Sequence, residues 1–123
     1  MAVVPARAST AQIGEDAFVV SASGEVDIAS VETLERELDG LARRGALRVI
    51  VDLTGVTFID SAGLGVLVRE AKRLDEHGGT CVLVADDPRI LRIFEITGLD
   101  RMFGIERSLA EGVDRLVGRV ERT

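Results

Sequence analysis

From Val31 onward the apolar residues fall at Val31, Leu34, Leu38 and Leu41, the three-and-four spacing that lines one face of a helix. Ser30 stands where an N-cap belongs, Glu32/Arg36 and Asp39/Arg43 form i,i+4 pairs, and Gly45 ends the run. Upstream, a short strand at residues 9–13 turns at Gly14-Glu15-Asp16 into a better one at 18–23. Downstream, residues 47–53, apolar apart from Arg48 and Asp52, read as a buried strand, followed by a turn at Thr54-Gly55-Val56. Phe58-Ile59-Asp60 then lead into a second helix, with Leu64, Leu67, Val68, Ala71 and Leu74 facing inward.

Gly78 and Gly79 stop that helix, and residues 80–85 make another strand. Asp87 before Pro88 is a cap with proline at the first helical position; the helix it opens carries Ile90, Ile93 and Phe94 and ends at Gly98. A short strand at 102–105 precedes Ser108-Leu109-Ala110-Glu111, a capping box opening a last helix with Val113, Leu116, Val117 and Val120 inward. The order is ββαβαβαβα, an α/β domain over residues 9–120 with a mixed central sheet of about five strands and four helices. Residues 1–8 and 121–123 read as loosely held ends.

Composition narrows what such a domain can do. The 123 residues suffice for one core. The apolar runs are short and bounded by charge, far from the ~20 residues of a membrane span. The amino terminus shows no basic start followed by an apolar stretch, so the chain is expected in the cytoplasm. A net charge of −6 with no Trp or Tyr opposes a nucleic-acid partner. Cys81, alone and inside an apolar run, reads as a small buried hydrophobe.

In a sheet of this kind, ligands and partners meet the loops at the carboxyl ends of the strands. Two such loops stand out, Gly24-Glu25-Val26-Asp27 and Ile59-Asp60-Ser61-Ala62-Gly63. Ser61 lacks a base, because the single histidine, His77, lies at the far end of the following helix, and Ile59 stands where a nucleophile elbow wants glycine. Gly63 and Gly65 begin a dinucleotide fingerprint that fails at Val68, and one Cys with one His makes no zinc site. No catalytic residue and no cofactor emerge, and the chain is not expected to be an enzyme. Glu25, Asp27 and Asp60 remain open as a divalent-cation or receiver-like acidic pocket, against a reading in which Asp27 helps cap the first helix; Asp86 and Asp87 read as caps. Ser61 is either a plain first-turn residue or a regulated hydroxyl. A phosphoryl group there would meet the first-turn N–H groups and the positive helix end, while adding negative charge beside Asp60 and near Asp27.

The chain resembles the anti-sigma factor antagonists with the STAS fold. The resemblance rests on Gly24-Glu25-Val26-Asp27, on Val49-Ile50-Val51-Asp52-Leu53 leading to Phe58-Ile59-Asp60-Ser61-Ala62-Gly63-Leu64-Gly65-Val66-Leu67, and on Ile93-Phe94-Glu95-Ile96-Thr97-Gly98-Leu99. It implies a partner-switching cycle in bacterial transcription. The unmodified antagonist binds an anti-sigma factor that is also an ATP-dependent serine kinase and so frees a sigma factor; phosphorylation blocks binding, and a metal-dependent serine phosphatase reverses it. By motif position the phosphoacceptor is Ser61 and the acidic residue of the neighbouring loop is Asp27; Ala62 replaces the second hydroxyl of many relatives. The partner face implied comprises Asp27, Asp60, Ser61, Ala62, Gly63, Leu64 and Arg69, with Glu70, Lys72 and Arg73 as further orienting residues. The chain is then a monomer or weak dimer. A STAS scaffold or sensor module without phosphorylation is the alternative the sequence leaves open.

Overall fold

The computed structural model describes residues 3–118. Five strands lie in the order β1-β2-β3-β4-β5: β1 (Arg7–Gln12), β2 (Ala17–Val26), β3 (Arg48–Ile59), β4 (Thr80–Val84) and β5 (Gly104–Glu106). β1 is antiparallel to β2, and the other pairings are parallel. Between them run α1 (Glu32–Arg43), α2 (Ser61–Glu76), α3 (Pro88–Thr97) and α4 (Leu109–Val113), the last continuing as a π-turn over Asp114–Gly118. This is the expected mixed sheet with four helices. Val120 and residues 121–123 lie outside the described residues.

Alternation along the central strands builds two apolar layers. Phe18, Val20, Val49, Val51, Leu53 and Leu83 join Leu34, Leu38 and Leu41 of α1, Leu67 and Leu74 of α2 and Ile90 and Phe94 of α3 in the main core. Ala17, Val19, Ile50, Val82 and Val84 point the other way and are covered by Leu116, Val113 and Val117. Leu64, Val68 and Ala71 are only half-buried, while Val66, which the apolar stripe omitted, is buried. The Glu32–Arg36 pair forms at 2.6 Å, and Asp39 and Arg43 make no ion pair among the described residues.

The longest departure from the sequence reading is β3. Instead of turning at Thr54-Gly55-Val56, the strand runs on to Ile59 beside β2, which itself extends through Gly24 to Val26. Two register shifts each place one extra residue in β3, so its inward positions become Leu53, Val56 and Ile59, three apart instead of two. A Cβ at Gly55 would stand 3.0 Å from Ser23 Cβ and 3.2 Å from Ala22 O, so the glycine permits this irregular pairing. The extension carries the chain directly to Asp60 and Ser61.

Residues 4–8, read as loose, are tied down. β1 begins at Arg7, Pro5 bridges to Glu25, Glu25 N donates to Val4 O at 2.8 Å, and Ala6 is buried. These bonds link residues twenty apart in sequence, which local pattern does not reveal. Among the described residues no helix is long and apolar enough to cross a membrane.

Candidate functional site

Asp60 is the hinge between strand and helix. Its backbone is extended (φ −110°, ψ −171°), its N–H donates to Val26 O at 3.1 Å, and its carbonyl accepts from Leu64 N at 3.0 Å. Oδ1 accepts from Ala62 N (2.9 Å) and Gly63 N (3.3 Å), so Asp60 is the N-cap and Ser61 the first helical residue of α2. Oδ2 accepts from Ile28 N at 3.2 Å. One carboxylate therefore fastens the β2–α1 loop to the start of α2.

The facing loop is closed by Asp27. Its Oδ1 accepts from Ala29 N and Ser30 N, each at 3.1 Å, and its carbonyl accepts from Val31 N at 2.7 Å. Ser30 Oγ lies 2.7 Å from Glu25 O and 3.0 Å from Asp27 Oδ1. Ser30 is thus not the cap of α1: the residue before the helix is Val31, without a side-chain cap bond, and Asp27 organises the preceding turn. The pattern favoured Ser30 because its hydroxyl lies near that end, but the hydroxyl is spent within the turn.

Ser61 is exposed on the first turn of a 16-residue helix, and its hydroxyl makes no hydrogen bond among the described residues. Ala62 and Leu64 are half-buried and Gly63 is buried. A Cβ at Gly63 would meet Ile59 Cγ1 at 2.7 Å and Val26 Cγ1 at 2.8 Å, so this glycine lets the helix start pack onto the ends of β3 and β2. The sequence expectation that a phosphoryl group on Ser61 would take up first-turn amides meets an obstacle: Asp60 already occupies those of Ala62 and Gly63. A phosphate on Ser61 would find those two amides taken and would add its charge one residue from a fixed carboxylate.

Of the other expected partner-face residues, Arg69 is exposed and ion-paired to Glu35 of α1. Glu70 and Arg73 do not belong to that face. Glu70 is 5% exposed and receives both Arg73 Nε (3.0 Å) and Arg73 Nη2 (2.8 Å). Arg73 also reaches Ala46 O at 3.4 Å, and the Glu70 carboxylate raises its pKa further. A buried charge at this position is invisible to an apolar-stripe reading, which assigns every charged residue to solvent.

These bonds commit two of the carboxylates expected to form an acidic pocket. Asp27 and Asp60 point at backbone amides, and no group of three or more His, Cys, Asp or Glu side chains among the described residues is placed to hold a metal ion. Asp87 caps α3 through Arg89 N at 2.9 Å. His77 sits beyond the far end of α2, about 24 Å along the axis from Ser61, with Nδ1 2.7 Å from Arg73 O. Burial pushes the Cys81 thiol up, away from nucleophilic use.

A cap carboxylate followed by an unbonded serine, tied to a neighbouring acidic turn, is the arrangement at the start of α2. The STAS-domain sequence model matches residues 8–112, which include every site residue above. The anti-sigma-B factor antagonist of Bacillus subtilis (strain 168) is 37% identical over 100 residues, covering 80% of this chain and 90% of the relative. The chain belongs to the STAS-domain family of anti-sigma factor antagonists. Among solved structures, an anti-sigma factor antagonist from Mycobacterium paratuberculosis superposes with a TM-score of 0.81 at 26% identity, over 90% of this chain and 93% of that one. The Bacillus cell fate determinant SpoIIAA in its phosphorylated form shares the STAS fold with a TM-score of 0.70 at 22% identity, over 88% and 97% of the two chains. The fold around Ser61 is therefore one that antagonists use.

Proposed function

We propose that this antagonist works by partner switching at Ser61. Unmodified, it binds an anti-sigma factor that is also a serine kinase and so releases a sigma factor; phosphorylated on Ser61, it no longer binds. A serine phosphatase returns it to the active form. The cycle runs in the bacterial cytoplasm, with the chain as a monomer or weak dimer.

The observation that supports this reading is the Ser61 hydroxyl, exposed and unbonded beside a fully engaged Asp60. A kinase needs an accessible acceptor, and supplies ATP, metal and base itself. The chain then needs only to hold the hydroxyl in place. Because Asp60 fills the cap, phosphorylation leaves the fold intact and adds roughly −1.5 to −2 charges at an interface that must lose water. Asp27, Ala62 and Leu64 flank Ser61 in this proposed partner face, Gly63 is buried beneath it, and Arg69 lies two turns along α2.

The test is to incubate the protein with the anti-sigma factor kinases of its own genome and ATP, then map the product by peptide mass spectrometry. One phosphate on Ser61 is expected. Modification elsewhere, or by none of those kinases, rejects the reading. Ser61→Ala should bind the same kinase and stay unmodified.

A further inference from the structure

Two features beside Ser61 serve nothing in the folding of this chain. The first is Ile28, 81% exposed, the most exposed large apolar side chain among the described residues. It is not on a loose loop: its N–H is bonded to Asp60 Oδ2, and the next two amides are bonded to Asp27. With its backbone fixed and its side chain turned outward, this isoleucine can be buried by a partner without the cost of first ordering the loop. The second is Gly65. It lies inside α2, is exposed, has no left-handed backbone, and a Cβ built there meets nothing within 4 Å. Glycine in a helix interior is less stable than alanine, so the fold forgoes stability here without a packing reason. Gly63, two residues earlier, shows the contrast, since a Cβ there would collide.

The two features lie on one surface. Gly65 follows Ser61 by four residues, on the same side of the helix and about 6 Å along it. Residues 28–31 and 61–68 carry no charge, in a chain with net charge −6 and 29% charged residues. Asp27 and Asp60 flank these stretches with their carboxylates committed to backbone amides, so the uncharged part between them can lose water to an apolar partner surface. Anti-sigma factors are what this family antagonises, so the occupant is the anti-sigma factor. We infer that it covers Ile28 as an apolar anchor and packs against the bare helix backbone at Gly65, one turn from the hydroxyl it phosphorylates. The inference rests on the partner-switching reading above and adds the residues that make the contact.

The experiment uses the kinase that phosphorylates the chain, titrated calorimetrically with ADP in place of ATP so that Ser61 stays unmodified. Ile28→Ala and Gly65→Gln should each weaken Kd by about tenfold or more. Two controls match them in chemistry. Ile96 is 70% exposed near the far end of α3, and Gly40 lies within α1 with nothing within 4 Å of a Cβ. Ile96→Ala and Gly40→Gln should bind as wild type does. Gly65→Gln should also raise Tm by about 3 °C while weakening binding, a combination that a structural role for the glycine does not produce. A Kd within about threefold of wild type for either Ile28→Ala or Gly65→Gln overturns the inference. A lowered Tm for Gly65→Gln, or equal losses in the controls, does the same. Absence of any phosphorylating kinase instead defeats the underlying reading, and this inference with it.

Discussion

Replacing Asp60 by alanine removes three hydrogen bonds at once, those from Ala62 N, Gly63 N and Ile28 N. Loss of the cap costs about 1 kcal/mol. The Ile28 bond crosses to another loop, where an exposed bond is worth about 0.5–1 kcal/mol. The whole change comes to about 2 kcal/mol, a large share of the stability of a domain this size, and lowers Tm by about 8 °C. Asp60→Asn separates the two contributions. Its single amide oxygen can still cap α2, but its NH2 group then faces the Ile28 N–H, so about half the loss should remain. Urea denaturation gives the free energies, and amide exchange at Ile28 reports the loop directly: it should speed up in both variants. If Asp60→Ala unfolds within about 0.3 kcal/mol of wild type, the carboxylate is not what joins these elements and the argument for a preformed site fails.

Three further outcomes test other parts of the structure. Gly63→Ala should destabilise the fold by about 1–3 kcal/mol, because its Cβ must displace Ile59 and Val26; a neutral result by thermal denaturation would contradict the packing described. Arg73→Met strands the buried Glu70 carboxylate and should cost about 3 kcal/mol in urea denaturation, more than any exposed ion pair here. The Arg89 guanidinium and the Arg89 backbone N–H hold the Asp87 carboxyl below the usual carboxylate range. Its stabilising effect is therefore present above the ordinary carboxylate pKa and fades as pH falls through the lowered value. Carboxyl NMR titration should find that Arg89→Ala moves Asp87 back up.

Where local chemistry decided structure, it could be read from the residues. Asp87-Pro88, Ser108 and the Leu34/Leu38/Leu41 face act as their spacing implies, since caps and amphipathic faces depend on neighbours a turn away. The course of β3 could not, because its two extra residues replace the two-residue period with a three-residue one and make Thr54-Gly55-Val56 resemble a turn. Ser61, Asp60 and Asp27 were legible as a constellation, but the division of labour among them was not. That Asp60 also binds Ile28, 32 positions away, is a tertiary fact that spacing does not reveal. Glu70 escaped for a related reason: its burial depends on a fork from Arg73 that spacing permits but does not require.

In the proposed cycle, charge on one hydroxyl decides binding. This is tested most directly by calorimetry of the anti-sigma factor kinase against two preparations of the chain, one bare and one stoichiometrically phosphorylated on Ser61. The bare form should bind tightly and the phosphorylated form about 100-fold or more weakly, with unchanged Tm. Equal affinities for two equally folded forms would contradict that cycle.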